Sequence, residues 1–257
     1  MFKKIRVIIL LSILLFVALG EFLAARRSTS WDDTLWVDVY LVNGDRLETT
    51  QRYIDSIDAK EFDGIHEFFA AEAKRYGVAI DEPFRLNVVG QYRDELPTTD
   101  ARPSGLGILW WSLEMRWLAL KLDWQRTGPK PDIVAFAVYH EPADSAVLDA
   151  STGLRKGLIA VTHLFASSDE RGSNQVVLAH ELLHTVGATD KYSLASNLPR
   201  FPDGFAEPAL KPRLPQKKAE LMAGRIPLDE QHAEMPESLR SVVVGRLTAE
   251  EIGWLHE

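Results

Sequence analysis

Between residues 180 and 190 the chain reads His180-Glu181-Leu182-Leu183-His184-Thr185-Val186-Gly187-Ala188-Thr189-Asp190. On a helix that turns about 100° per residue, His180 and His184 stand about 40° apart and one turn along the axis, so both imidazoles reach a single ion. Glu181 is adjacent to the first of them, where its carboxylate can meet a water held by the metal without itself ligating. A zinc site of this type needs a third protein ligand and one open position, and Asp190 is the natural candidate for the former. Were the helix to continue, Asp190 would lie about 240° round from His184 and face away. Gly187 removes the difficulty, because it can take positive φ and turn the chain back toward the metal.

The five fixed positions would arise in roughly 6 of 100,000 shuffled chains of this composition, which sets the false-positive risk of the match. Val176, Val177, Leu178, Leu182 and Leu183 supply the apolar face that a helix carrying the site must bury. The chain has no Cys, so thiolate ligands, disulfides, iron–sulfur clusters and a cysteine nucleophile are all excluded. No GxSxG elbow, P-loop or GxGxxG stretch competes for the functional reading.

The stretch resembles the long zinc signature of the metzincin metallopeptidases, in the variant where Asp replaces the third His. Met222, within Ala219-Glu-Leu-Met222-Ala-Gly, resembles the methionine turn that underlies the metal in that clan. The resemblance implies a zincin-like mixed sheet with packed helices, an active-site helix, an irregular C-terminal lobe after Gly187, and a peptide substrate bound along an edge strand. It implies one Zn²⁺ per chain held by His180, His184 and Asp190, with Glu181 as general base and Gly187 and Met222 as structural support. The chain departs from the pattern at Gly224, where several metzincins carry a Tyr two residues after the Met. Any Tyr that stabilises the transition state must then come from elsewhere, such as Tyr192. His163, on the strand before the helix, is a candidate cleft residue. His140 ends another strand, and His232 lies in a polar stretch expected to face solvent.

The elements that must position these residues alternate between strands and helices. Trp36–Asn43 alternates at period two and ends at Asn43-Gly44, a strand and its turn. Glu61–Tyr76 puts Phe62, Ile65, Phe69, Ala73 and Tyr76 on one helical face, and Gly77 stops it. Phe84–Tyr92, Ile133–Tyr139 and Leu158–Phe165 read as further strands, the second a continuous apolar run suited to the centre of a sheet. From Ser104 to Arg126 a long helix repeats Leu106, Trp110, Leu113, Trp117, Leu120 and Trp124 at intervals of three or four, a row expected to pack in the core. A helix is expected from Ser173 to Val186. Five Pro between Ser196 and Pro215 exclude regular structure there, and a short helix is expected from Thr248 with a capping box to Glu251. The fold class is α/β, helices packed on a sheet of four or five strands, with no internal repeat.

Residues 1–27 read as a membrane segment distinct from an exported domain over 28–257. Lys3, Lys4 and Arg6 precede the apolar run Val7–Gly20, Phe22–Ala25 extend it, Glu21 is its one charge, and Arg26-Arg27 closes it. The span suits a signal anchor whose basic end stays in the cytoplasm, with the domain in the periplasm or outside the cell. Cleavage near Ala18 or Gly20, giving a secreted form, is the alternative, and a lipoprotein anchor is excluded for want of Cys. Formal charge is −8, and five of the 29 cations lie in the first 27 residues, so the remainder is more acidic still and poorly suited to nucleic acid. The function expected is hydrolysis of peptide bonds. Two alternatives stay open, an exported zinc-binding module without catalysis and a zinc amidase acting on cell-wall peptides.

Overall fold

The computed structural model describes residue 6 and residues 27–98, 105–126, 128–143, 151–154 and 158–255. The anchor expectation for residues 7–25 falls outside these. Strand β1 (Leu35–Asn43) leads into helix α1 (Glu48–Ser56), a 3-10 turn (Ala59–Phe62) and α2 (Asp63–Arg75), followed by β2 (Phe84–Gln91) and the long α3 (Gly105–Gln125). Then come β3 (Ile133–His140), β4 (Thr152–Leu154), β5 (Ile159–Phe165) and α4 (Arg171–Thr185). The remainder is an irregular lobe with two-residue strands, β6 (Ala219–Glu220), β7 (Ile226–Pro227), β8 (Ala233–Glu234) and β9 (Val242–Val243), 3-10 turns at Leu221–Ala223 and Leu239–Ser241, and a last short helix α5 (Arg246–Glu251).

The main sheet has the order β2-β1-β3-β5-β4. Its first four strands are parallel and β4 runs antiparallel along β5 as an edge. The α/β architecture and strand count expected from sequence are therefore present. Alternation along each strand divides the core in two. Leu35, Val37, Val39 and Leu41 of β1, with Ile133, Ala135, Ala137 and Tyr139 of β3, face the large cluster that includes Ile54 of α1, Phe69 of α2 and Leu178 and Leu182 of α4. Val42, Phe136, Val138, Ile159 and Val161 face a smaller cluster built on Met115 and Leu118 of α3. Thus α1, α2 and α4 cover one side of the sheet and α3 the other.

Two sequence expectations are corrected, and one helix forms where none is expected. The tryptophan row of α3 does not pack in the core: Leu106, Trp110, Leu113, Trp117, Leu120 and Trp124 are 44–79% exposed, while Met115 and Leu118 are the buried pair. The helix is apolar on both faces, so periodicity alone could not tell which one meets the sheet. The capping box at Thr248 does not form, because α5 begins two residues earlier and the Thr248 hydroxyl donates instead to Glu220 Oε1 at 2.7 Å. Helix α1 was not expected, since its residues Glu-Thr-Thr-Gln-Arg-Tyr-Ile-Asp-Ser bury only Thr50 and Ile54 and so give a weak apolar period.

Helix α4 is fixed to its surroundings mainly near its first turns. The Asn174 amide pairs with the backbone of Phe165 in both directions (3.0 and 2.8 Å), joining the helix to the end of β5. Gln175 Nε2 donates to the Glu61 carbonyl at 2.6 Å, and Arg171 pairs with buried Glu61 at 2.9 Å. Gly172 lies so close to the segment at 237–238 that a Cβ there would meet the Glu237 carbonyl oxygen at 2.0 Å. Because the obstacle is backbone, Gly172→Ala is expected to lower unfolding stability by about 1–3 kcal/mol, read as a shift in the urea midpoint.

Candidate metal centre

The buried face of α4 carries Val176, Leu178, Ala179, Leu182 and Leu183, which leaves His180 and His184 one turn apart on the other side. The ring nitrogens are oriented by main-chain carbonyls. His180 Nδ1 donates to the Leu221 carbonyl at 2.9 Å, and His184 Nδ1 donates to the Ala188 carbonyl at 2.9 Å. A carbonyl can only accept, so both Nδ1 atoms carry hydrogen and both Nε2 atoms face the cluster. The two Nε2 atoms are 3.0 Å apart. Asp190 Oδ1 completes a triangle, 3.2 Å from His180 Nε2 and 3.1 Å from His184 Nε2. One ligand atom from each of His180, Glu181 and His184 also lies within 4.8 Å of the others.

Gly187 brings Asp190 round. Its φ is +113°, the Ala188 N–H returns to the Leu183 carbonyl at 3.0 Å, and the Ala188 carbonyl then sits against His184. Asp190 is held on both sides. The Thr189 N–H and hydroxyl donate to Glu251 (2.9 and 2.6 Å), and buried Lys191 reaches Glu251 with Nζ at 2.7 Å. The Arg200 guanidinium donates to the Asp190 carbonyl.

The segment that holds Met222 runs beside the cluster and meets it through main-chain carbonyls. Met222 is fully buried, and its carbonyl accepts from the Lys191 N–H at 2.9 Å. The neighbouring Leu221 supplies the carbonyl that orients His180. This turn is clamped by Glu220, whose Oε1 accepts from the Gly245 N–H and Thr248 hydroxyl (3.0 and 2.7 Å) and whose Oε2 accepts from the Ala223 N–H at 2.9 Å. Burial pushes the Glu220 carboxyl pKa up against the pull of these donors. Sequence reasoning did not find Glu220, Lys191 or Glu251, and a carbonyl at 188 or 221 leaves no side-chain signal at all.

Tyr192 is half-buried beside the cluster, its ring centroid 6.5 Å from that of His180. Burial and the charges of Asp190 and Glu181 raise its pKa. His163 is placed with His140, their nitrogens 3.0 Å apart and rings stacked at 5.2 Å, and not in the cluster. His232 is exposed and bonded to Asp229, as expected for a solvent-facing residue.

The donor set fits a metal ion. With both rings neutral, two imidazole lone pairs converge on the buried Asp190 Oδ1. Three such acceptors repel unless a proton or a metal ion lies between them. Tetrahedral coordination at about 2.0–2.1 Å sets ligand atoms about 3.3 Å apart, close to the triangle seen. The electrostatics of the cluster reflect the same convergence. Burial opposes a charge on His180, yet Asp190, Glu181 and the Leu221 carbonyl hold its pKa up at about 9. The Asp190 carboxyl is held far below the usual range; burial works against this and the two imidazoles outweigh it. What the fold and side chains define is an α/β protein with a His180-Glu181-His184 cluster on α4 that can hold a metal ion. No protein-family model matches the chain, and no curated protein does.

Because Gly187 is left-handed, Gly187→Ala is expected to cost roughly 1–3 kcal/mol and to lower metal retention, since Asp190 and the Ala188 carbonyl move with it. Gly77 also has positive φ (+73°) with open space around its Cα. Gly77→Ala should then lose stability alone, with metal retention in dialysis unchanged.

Proposed function

We propose that the chain is a zinc-dependent hydrolase of peptide bonds. The observation that carries this reading is the triangle of His180 Nε2, His184 Nε2 and Asp190 Oδ1, with the Glu181 carboxylate just beyond it. His180, His184 and Asp190 would hold the ion, three protein ligands being the number found where a coordination position stays open. Zinc bound there would supply a Lewis acid and bring the pKa of water toward neutral.

The remaining steps belong to the chain's own groups. Glu181, 5% exposed, takes the proton from the attacking water as its oxygen joins the peptide carbonyl carbon. The same carboxyl returns that proton to the amine nitrogen as the C–N bond breaks, so the residue ends as it began. Burial keeps Glu181 away from bulk water, which sharpens its electrostatic effect at the reacting carbon. Tyr192, whose ring lies beside His180, would be the group to donate a hydrogen bond to the oxygen on which negative charge develops. The β4 strand is the antiparallel edge of the sheet, and an extended substrate can pair with an edge of that kind. The domain would work on the exported side of a membrane, held by residues 7–25. Among the described residues no helix is long and apolar enough to cross a bilayer.

Metal analysis of the purified chain should give about one zinc per molecule, and His184→Ala should lose it. Glu181→Gln keeps size and hydrogen bonding but cannot take up the proton. It should retain zinc while cleavage of a peptide library falls by about 10²–10⁴. Asp190→Ala should lower zinc content and cleavage together. Cleavage by Glu181→Gln at the wild-type rate would overturn the mechanism, and full zinc with no cleavage of any peptide would leave a binding module. In cell fractionation the intact chain should stay with membranes through high-salt washing; a soluble form beginning near Glu21 would show a cleaved signal instead.

A further inference from the structure

Helix α3 presents an apolar face that nothing covers among the described residues. Leu106, Trp110, Leu113, Trp117, Leu120 and Trp124 follow one another at alternate spacings of four and three, which makes a single stripe along a helix of 21 residues, about 31 Å. All six are exposed, Trp110 by 65%, Trp117 by 59% and Trp124 by 70%. The opposite face of the helix already meets the sheet through Met115 and Leu118. A contiguous apolar surface of this length on a domain face calls for a partner.

The chain's own connections say which one. Arg27, which closes the apolar stretch of residues 7–25, pairs through Nε with Asp132 Oδ1 at 2.9 Å. Asp132 sits at the start of β3, where its N–H donates to the Trp36 carbonyl at 2.9 Å. Arg126, one residue beyond α3, pairs with buried Asp38 of β1, two residues from Trp36. The Trp124 end of the stripe and the point where the chain emerges from its apolar segment therefore lie at the same end of the sheet. A domain tethered there carries its tryptophan face beside the bilayer. Tryptophan at three of six positions suits the zone of lipid headgroups, where an apolar ring with one N–H is best accommodated. Lys121, exposed one turn from Trp117, offers a cation to anionic headgroups. The acids on the helix are engaged: Glu114 accepts from Trp110 Nε1 at 2.7 Å, and Asp123 pairs with Lys130 at 3.5 Å.

We propose that the exposed Leu/Trp face of α3 lies in the interface of the lipid bilayer and gives the domain a second membrane contact beside the segment of residues 7–25. The inference rests on the anchor reading above, and its test separates the two. Since the chain has no Cys, single substitutions Leu106→Cys, Leu113→Cys and Leu120→Cys can each carry a nitroxide, with Glu67→Cys on exposed α2 across the sheet as reference. The full chain is reconstituted in vesicles of phosphatidylcholine and phosphatidylglycerol and recovered by flotation. Labels on α3 should collide with oxygen and be shielded several-fold from a water-soluble nickel chelate, with the reverse at residue 67. Equal nickel access at both places would put the face in water and overturn the proposal. Shielding from both reagents would mean that protein covers the face, a second copy or residues 7–25, and would also overturn it. A chain released by alkaline carbonate but shielded from nickel at neutral pH fails the anchor reading and upholds the α3 contact. A chain that never floats overturns both.

Discussion

Two imidazole nitrogens and a carboxylate oxygen held within 3.2 Å of one another set the terms for the rest of this molecule. Electron-rich atoms do not gather unaided, so the fold must supply the force that keeps them together, and a proton or a metal ion among them would relieve their repulsion. It does so with hydrogen bonds that settle each ring's tautomer and with packing that leaves neither helix nor turn free to move away. The polar ties of Asn174, Gln175 and Arg171 secure one partner, the helix. The carboxylate of Glu220 secures the other, the turn at Leu221–Met222, from a position with no solvent exposure. A buried carboxylate without donors would cost several kcal/mol, so the three that converge on Glu220 are what make the turn tolerable as well as rigid.

Much of this was legible in the residues. The apolar run of β3 and the alternation of β1 are direct statements of which side chains leave water, and the strands formed within a residue or two of their expected limits. Gly187 could be read because the problem it solves is geometric: a ligand on the wrong side of a helix requires a reversal, and few residues permit one. What stayed hidden has a common cause. The stripe of α3 was misplaced because a helix apolar on two faces carries no record of which one the sheet selects; that choice is made by Phe136, Val138 and Val42, far away in sequence. Thr248 was assigned to its own helix because local capping is visible in sequence, whereas its actual partner, Glu220, is 28 residues away. Helix α1 escaped notice because its tertiary anchors are a single Ile and a Thr.

The two sides of the sheet are unequally built. One carries three helices and most of the large buried side chains; among the described residues the other has α3, with its Leu/Trp row turned outward. The cluster and its supports belong to the first side, through α4. Stability and chemistry are thus concentrated on one layer, and the second layer is free to serve as a surface.

The orienting groups of both histidines are main-chain oxygens, those of residues 188 and 221. An amide oxygen is the same whichever side chain hangs beside it. Replacing Ala188 or Leu221 with another residue of compatible size would leave the imidazoles aimed as before, and the cost of Leu221→Ala would be that of a cavity in the core, with no mark of the ring that the carbonyl orients. The alphabet in which this part of the site is written is the backbone path itself, so its integrity is guarded by the residues that shape the path, Gly187 where the helix gives way to the loop and Glu220 at the turn of Leu221.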